Sequence, residues 1–245
     1  MTLSIPVTEV SAANEALLAA LGQIQKANAA GAQIFAPDEI GRALGLHEEA
    51  QAQRLLRRWL AARDLAAAAY VEATAAIDVA ERARDVAAEA LVTDRNGVVE
   101  GQRPEDLSWR GLPLRSILVE EEKVRTLSDS TAQITFRDAS RLRLSANSNA
   151  VIRQMRFDPL SRREESKVSL IEGDFSALLS DAGGERNQFD VDIPEVEATI
   201  ESADFWVSHA GGRAKFANYD DALVRVAANG GAVTLGRNEG TIVDR

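Results

Sequence analysis

Two histidines, His47 and His209, are the only imidazoles in the chain, so they are the first candidates for acid–base chemistry. They lie in different halves of the sequence, and no Gly-x-Ser-x-Gly elbow accompanies either one. His47 follows Gly45 at an expected helix end, where a cation complements the helix dipole. His209 precedes the turn signal Gly211-Gly212. We therefore expect a capping histidine and an exposed turn histidine rather than a catalytic pair.

Clusters of carboxylates are the other candidates for chemistry. Metal binding and glycoside hydrolysis both need acidic side chains that converge on one point. Neighbouring residues on a strand point to opposite faces, so sequence spacing alone brings none of the clusters together; they are Glu120-Glu121-Glu122, Asp190 with Asp192, and Asp220-Asp221. The chain also has no cysteine and no glycine-rich phosphate-binding motif. We expect no enzymatic activity, no cofactor and no metal.

The charge balance and the hydropathy limit the possible partners. The 245 residues include 38 acidic and 28 basic ones, a net charge of −10, and no basic stripe that would attract nucleic acid. The first ten residues contain no basic segment followed by an apolar one, so no signal peptide is visible. The longest uncharged apolar run, 65–71, is far shorter than a spanning helix requires. We expect a chain without a membrane span.

The periodicity of the sequence changes near residue 92 and predicts two domains. Residues 1–92 are typical of helices, 93–111 carry turn signals and form the predicted linker, and 112–245 alternate as strands do. The first helix is expected from about residue 9 to residue 30, and a short one from Pro37 to near Gly45. A stretch of about 45 residues without glycine or proline, 48–92, then predicts a single helix of roughly 65 Å.

Alanine occupies the seam positions of this long helix at heptad spacing. The seam alanines form the predicted helix-packing interface: Ala62, Ala66, Ala69, Ala73, Ala76, Ala80, Ala83, Ala87 and Ala90. Small residues let two helix axes approach closely, and we expect antiparallel packing against a matching stripe of the first helix. Because that helix is about half as long, half of the seam needs another partner, which predicts a homo-oligomer or a multi-protein complex. The alternative is that alanine is simply abundant and favours helix.

Short alternating strands with turn signals between them make up the second half. Ala132, Ile134 and Phe136 alternate before one turn, and Leu142 and Leu144 alternate after it. Similar pairs recur to the end of the chain at spacings of about 8–12 residues, the pattern of a β-sandwich or of a solenoid-like stack. The predicted fold class is therefore an N-terminal helical hairpin with one long alanine-rich helix, followed along the chain by an all-β domain.

The order of motifs in residues 112–245 resembles a FecR domain. Five of the segments that carry this resemblance are Val124-Arg125-Thr126, Phe136-Arg137-Asp138-Ala139-Ser140, Leu144-Ser145-Ala146-Asn147-Ser148, Leu170-Ile171-Glu172-Gly173-Asp174-Phe175 and Phe189-Asp190-Val191-Asp192-Ile193-Pro194. The resemblance implies a periplasmic or envelope-associated location, recognition of a protein, and no catalysis. The chain departs from the family pattern at Ala139, where glycine is usual. Because alanine tolerates positive φ poorly, we expect a different turn type.

Three functional hypotheses follow. The first is a non-enzymatic envelope scaffold, in which the helical part oligomerises or docks and the β domain binds a partner protein. The second is a FecR-type cell-surface signalling regulator, acting as an anti-sigma factor, that lacks its transmembrane segment. The third is an envelope glycan-binding protein, and here Trp206 and Tyr219 are the candidate ligand or partner surface.

Overall fold

The computed structural model describes residues 7–180, 188–194, 196–228 and 230–244. The chain divides into two compact units between Asp85 and Val86. A helical unit comes first and a large, mainly antiparallel β unit follows, so the predicted fold class is confirmed. The boundary lies seven residues before the predicted one.

From residue 7 onward, where the structure describes the chain, the first unit has four helices: α1 (Val7–Ala29), α2 (Ala32–Phe35), α3 (Pro37–Leu55) and α4 (Trp59–Arg84). Gly31, with φ of 84°, takes the left-handed conformation between α1 and α2. Pro37 opens α3, whose first turn also carries Asp38 and Glu39 at the positive end of the helix dipole. Each of these signals was visible in the sequence.

The single long helix predicted over 48–92 is wrong. The chain reverses at residues 56–58, where Arg57 has a φ of 57°, and it leaves helix at Asp85. The reversal has no glycine or proline to mark it, because a left-handed arginine, at a cost of about 1–2 kcal/mol, makes the turn. The predicted end near Gly45 is also wrong, since α3 continues to Leu55. The buried face of α3, which includes Ala43 and Ala50, offsets the low helix propensity of glycine.

The helices α1, α3 and α4 pack along two clusters of small residues. Leu17 and Ala20 of α1 meet Ala50 of α3 and the early alanines of α4, whereas Ile24 and Ala27 meet the later ones. The residue numbers of α1 and α4 therefore increase in the same direction along their contact, so these two helices are parallel. The antiparallel packing that we predicted for them is wrong, because α3 supplies the reversed helix between them.

The described residues of the second unit form seventeen strands. They are β1 (Val86–Ala87), β2 (Ala90–Asn96), β3 (Val99–Gln102), β4 (Arg110–Gly111), β5 (Ile117–Leu118), β6 (Lys123–Thr126), β7 (Thr131–Thr135), β8 (Arg141–Leu144), β9 (Asn149–Phe157), β10 (Glu164–Leu178), β11 (Gln188–Ile193), β12 (Val196–Ile200), β13 (Asp204–Ala210), β14 (Arg213–Asn218), β15 (Val224–Ala228), β16 (Gly231–Leu235) and β17 (Glu239–Asp244). The linker predicted over 93–111 is wrong, because most of β2 and all of β3 and β4 lie in it. These strands are short, and their periodicity is too brief to be detected.

Two sheets share one hydrophobic core. The first sheet has the order β4-β3-β6-β9-β10-β11-β12-β15-β16, with β1 also paired to β9. The second has the order β5-β2-β7-β8-β10-β13-β14-β17. All of these pairs are antiparallel except β10–β11. The inward residues of both sheets meet in one cluster, which contains Phe136, Phe175, Phe189 and Phe205.

Strand β10 belongs to both sheets and passes between them at Gly173. Its first part pairs with β9 and β11, its last six residues pair with β13, and the last four of these also pair with β8. Gly173 has a φ of 94°, and a Cβ there would overlap the backbone of Ser148. Only glycine allows this crossing, because it removes both the steric overlap and the penalty of positive φ. This position lies within one of the FecR-like motifs.

Candidate protein-binding surface

Six of the nine predicted seam alanines lie buried on one face of α4: Ala62, Ala66, Ala69, Ala73, Ala76 and Ala80. The other three are placed differently from the prediction. Ala83 is on α4 but exposed, Ala87 is exposed on β1, and Ala90 is buried in the core of the β unit. Ala87 and Ala90 were assigned to the helix wrongly, because heptad spacing of alanine does not distinguish a helix from the short strands that follow it.

The buried seam is covered within its own unit. Ala66 and Ala69 pack with residues of α1 and α3, and Ala73, Ala76 and Ala80 pack with the other ends of the same two helices. The length mismatch that predicted an oligomer therefore does not exist. Helix α4 has 26 residues and α1 has 23, and α3 adds a third surface.

The two histidines make structural contacts. His47 lies in the middle of α3 and is buried, so the predicted capping role is wrong. Its Nε2 is 2.9 Å from Nε2 of Gln51, one turn later. His209 lies near the end of β13, and its Nδ1 is 2.6 Å from the carbonyl oxygen of Ile171.

The acidic clusters divide into separate ion pairs. Glu122 is fully buried and accepts a 2.6 Å bond from Arg110, whereas Glu121 pairs with Arg153 at 2.8 Å. Glu120 accepts the Met155 N–H at 2.8 Å. Neighbouring carboxylates thus bind partners in different directions, and no group of three potential metal ligands occurs among the described residues.

A close pair of carboxylates, Asp138 and Glu164, joins the β7–β8 turn to the start of β10. Glu164 is buried, and its Oε2 accepts the N–H of Asp138 at 2.9 Å. Burial, followed by the charge of Asp138, raises the pKa of Glu164 to about 7. Asp138 itself accepts bonds from the N–H and hydroxyl of Ser140 at 2.8 and 2.7 Å. Asp138 lies in the turn and Glu164 opens β10, so their hydrogen bond holds the turn against that strand.

The FecR-like motifs supply the internal bonds of the β unit. Ser148 accepts the N–H of Asp174 at 3.0 Å and donates to its carbonyl at 2.9 Å, next to the crossing of β10. Its own N–H is bound by the Thr126 hydroxyl at 3.0 Å. At the β7–β8 turn Ala139 has a φ of 72°, so the turn keeps the left-handed residue and our expectation of another turn type is wrong. Thr126 and Ser148 are buried, so these two motif residues position strands.

The outer face of the second sheet carries the Trp206 surface, which we define by one row of residues across six strands. The row, in order from β7 to β17, is Gln133, Arg143, Ser176, Trp206, Ala217 and Gly240. Trp206 points outward because Phe205 and Val207 on either side are buried in the core. Its indole Nε1 donates to Asp174 at 3.2 Å, which fixes the ring against the sheet. Its two neighbours in the row, Ser176 and Ala217, have small side chains.

Exposed apolar and cationic side chains border the Trp206 surface. Leu178 is 49% exposed and lies opposite Asp204, two positions along from the Trp206 row. Tyr219 is 48% exposed, and its N–H donates to the Asp204 carbonyl at 2.9 Å, so the two predicted aromatics lie on one hairpin. Arg141 and Arg143 are both exposed on β8. This combination of aromatic, arginine and aliphatic side chains suits a protein partner.

Sequence patterns identified Trp206 and, beside the row, Tyr219, but they missed the other five members: Gln133, Arg143, Ser176, Ala217 and Gly240. These residues are separated by up to about a hundred positions and meet only through strand pairing. The alternation of β8 did indicate that Arg141 and Arg143 share its outward face. Nothing in the sequence indicated which strand would lie beside β13.

A family model described as FecR protein matches residues 122–233. The predicted FecR resemblance is therefore confirmed for that part of the chain, which contains all five motif segments and most of the Trp206 surface. None of the helices in the described part of the chain combines the length and apolar character needed to span a bilayer.

Two solved structures are similar to part of the chain. Both are crystal structures of a protein from Parabacteroides distasonis ATCC 8503 assigned as an anti-sigma factor, at 2.50 and 1.65 Å resolution. The identities are 18% and 19%, the TM-scores are both 0.39, and each alignment covers 50% of this chain and 54% of the other. The chain thus spans about half the length of these proteins, and likeness at this level carries no functional argument. No curated protein matches the sequence.

Proposed function

We propose that this chain is a non-enzymatic, FecR-type signalling regulator that binds another protein through the Trp206 surface of its β unit. The observation that carries the proposal is the outward-facing, hydrogen-bonded Trp206 between Ser176 and Ala217, with Arg143 in the same row. Tryptophan and arginine are enriched among the residues that dominate protein–protein binding energies. A ring fixed by Asp174 also loses little conformational freedom on binding.

The regulator hypothesis is better supported than the scaffold hypothesis. The scaffold interpretation depended on an uncovered half of the alanine seam, and α1 and α3 cover that seam. The FecR match over residues 122–233 supports a signalling protein of the bacterial envelope. We accordingly assign the chain to the envelope.

The connection between the units limits how such a regulator works. One residue, Asp85, separates the end of α4 from the start of β1. A spanning helix needs about 20 residues, so no membrane can pass between these two elements. We propose that both units act in one compartment and that the β unit signals by direct contact with its partner.

The test measures binding of candidate partners to the intact chain. A sigma factor or an outer-membrane transporter domain encoded beside the gene would be titrated against wild type and Trp206→Ala by calorimetry. Loss of the buried ring should weaken binding by about 30-fold, since truncating a central hot-spot residue typically costs about 2 kcal/mol.

Trp109→Ala is the matched control. Trp109 is another half-buried tryptophan of the β unit, stacked under Arg125 at 4.0 Å, and it is far from the Trp206 row in the strand order. The control should bind as wild type does. Equal losses in the two variants would contradict the proposed surface. Retention of wild type on peptidoglycan, lost in Trp206→Ala, would favour the glycan-binding alternative.

A further inference from the structure

The turn between α3 and α4 exposes an unusual concentration of leucine and arginine. Leu55 is 78% exposed, Leu56 is 62% exposed and Leu60 is 51% exposed, although leucine is normally buried. Arg57 and Arg58 lie between them and are exposed. We call these five residues the α3–α4 tip. They form the end of a helical hairpin and contribute nothing to the two alanine clusters behind them.

The α3–α4 tip is cationic within an acidic protein. Between Glu49 and Asp64 the chain has four arginines and no acidic residue, whereas the whole chain has a net charge of −10. Arg63 pairs with Asp64 at 2.8 Å, while Arg58 and Arg54 make only long bonds to the amides Gln53 and Asn14 at 3.4 Å. The positive charge of the tip is therefore not neutralised by the described salt bridges of its own segment.

Backbone hydrogen bonds fix the turn that exposes the leucine and arginine side chains of the tip. Arg57 has a left-handed φ of 57°, and its N–H is bound to Arg54 O at 3.0 Å while the Arg58 N–H is bound to Gln53 O at 3.0 Å. These bonds make the tip a defined turn rather than a loose loop. Exposed leucines and arginines on one turn match the water–lipid boundary, where apolar side chains enter the acyl region and guanidinium groups remain with the headgroups.

We propose that the α3–α4 tip binds an anionic lipid surface. The charge complementarity selects this partner: cationic side chains near a bilayer are attracted by anionic headgroups, each by about 1 kcal/mol or roughly fivefold in affinity. The exposed leucines then insert beside the arginines. This inference is independent of the Trp206 surface and would place the helical unit at the membrane.

The experiment uses flotation of the intact chain with phosphatidylcholine vesicles, with and without phosphatidylglycerol. Wild type should float with the anionic vesicles, not with the neutral ones, and added salt should weaken its binding. Both R57E/R58E and L55S/L56S should lose at least about tenfold in affinity, since they remove charge attraction and insertion respectively. Helical circular dichroism would show that both variants remain folded.

R115E/R162E is the matched control, because it reverses two exposed arginines of the β unit that lie outside the Trp206 surface and changes the net charge equally. It should bind anionic vesicles within about twofold of wild type. An equal loss in this control would overturn the proposal, as would no binding by wild type or full binding by L55S/L56S. Binding to polyglutamate but not to vesicles would likewise overturn it in favour of an acidic protein.

Discussion

At the residue scale, the β7–β8 turn keeps its left-handed conformation although alanine replaces the glycine that is usual in FecR-like sequences. Ala139 occupies a left-handed position in the β7–β8 turn, where its N–H reaches Phe136 O at 3.1 Å and Phe136 N–H reaches Ser140 O at 2.8 Å. Asp138 closes the turn by binding Ser140. These bonds hold a conformation that alanine itself disfavours, so residues around the position compensate for the strain.

Restoring glycine at this position should therefore stabilise the protein. Ala139→Gly should raise the free energy of unfolding by about 1 kcal/mol, because it removes the steric penalty of positive φ. Urea denaturation followed by tryptophan fluorescence would measure the change. The control is Ala210→Gly on β13, a residue without positive φ, which should lower stability by about 0.5–1 kcal/mol. A loss of stability in Ala139→Gly would show that the turn is not strained.

At the scale of helices and strands, sequence patterns predicted which face of an element is buried more reliably than they predicted where the element begins or ends. The heptad spacing placed Ala62 to Ala80 on one buried face of α4, and period-two alternation placed Leu142 and Leu144 in the core. The reversal at Arg57 could not be predicted, because it depends on the packing of α3 against α4 and not on a local glycine or proline. The small residues of β1 and β2 continued the helical spacing by coincidence.

The buried face of α4 should tolerate no larger side chain. Ala73 is fully buried between α1 and α3, so Ala73→Leu must push the helices apart and should cost about 3 kcal/mol. Ala83→Leu adds the same atoms at an exposed position of the same helix and should change stability by no more than about 0.5 kcal/mol. Unfolding followed by circular dichroism at 222 nm would compare them. Equal effects would mean that the seam is loosely packed.

At the scale of the whole molecule, the division into a helical and a β unit and the FecR-like character of the second were predictable, because periodicity and motif order extend over many residues. The Trp206 surface was only partly predictable. Its row joins β7, β8, β10, β13, β14 and β17, and their neighbours are fixed by the crossing of β10 at Gly173. Non-local pairing of this kind has no signature in a single sequence.

The stability of the whole β unit should depend on pH through one buried carboxyl. Burial raises the pKa of Glu164 from 4.5 to about 7, so the folded state favours the protonated form. The unfolded chain releases this proton near pH 4.5, and the folded chain retains it to about pH 7. The stabilisation is therefore complete below pH 4.5, and it is lost as the pH rises to about 7. The loss should be on the order of 2 to 3 kcal/mol.

Urea titrations between these two pH values would measure the loss, and Glu164→Gln should flatten the profile because it cannot ionise. Glu165→Gln changes the next residue of β10, whose side chain is exposed and 3.7 Å from Arg163, and should keep the wild-type profile. If Glu164→Gln kept the full dependence on pH, the titrating group would lie elsewhere.

Because Glu164 accepts the Asp138 N–H, loss of its proton would act first on the β7–β8 turn. That turn stands beside the start of β8, and hence beside Arg141 at the border of the Trp206 surface.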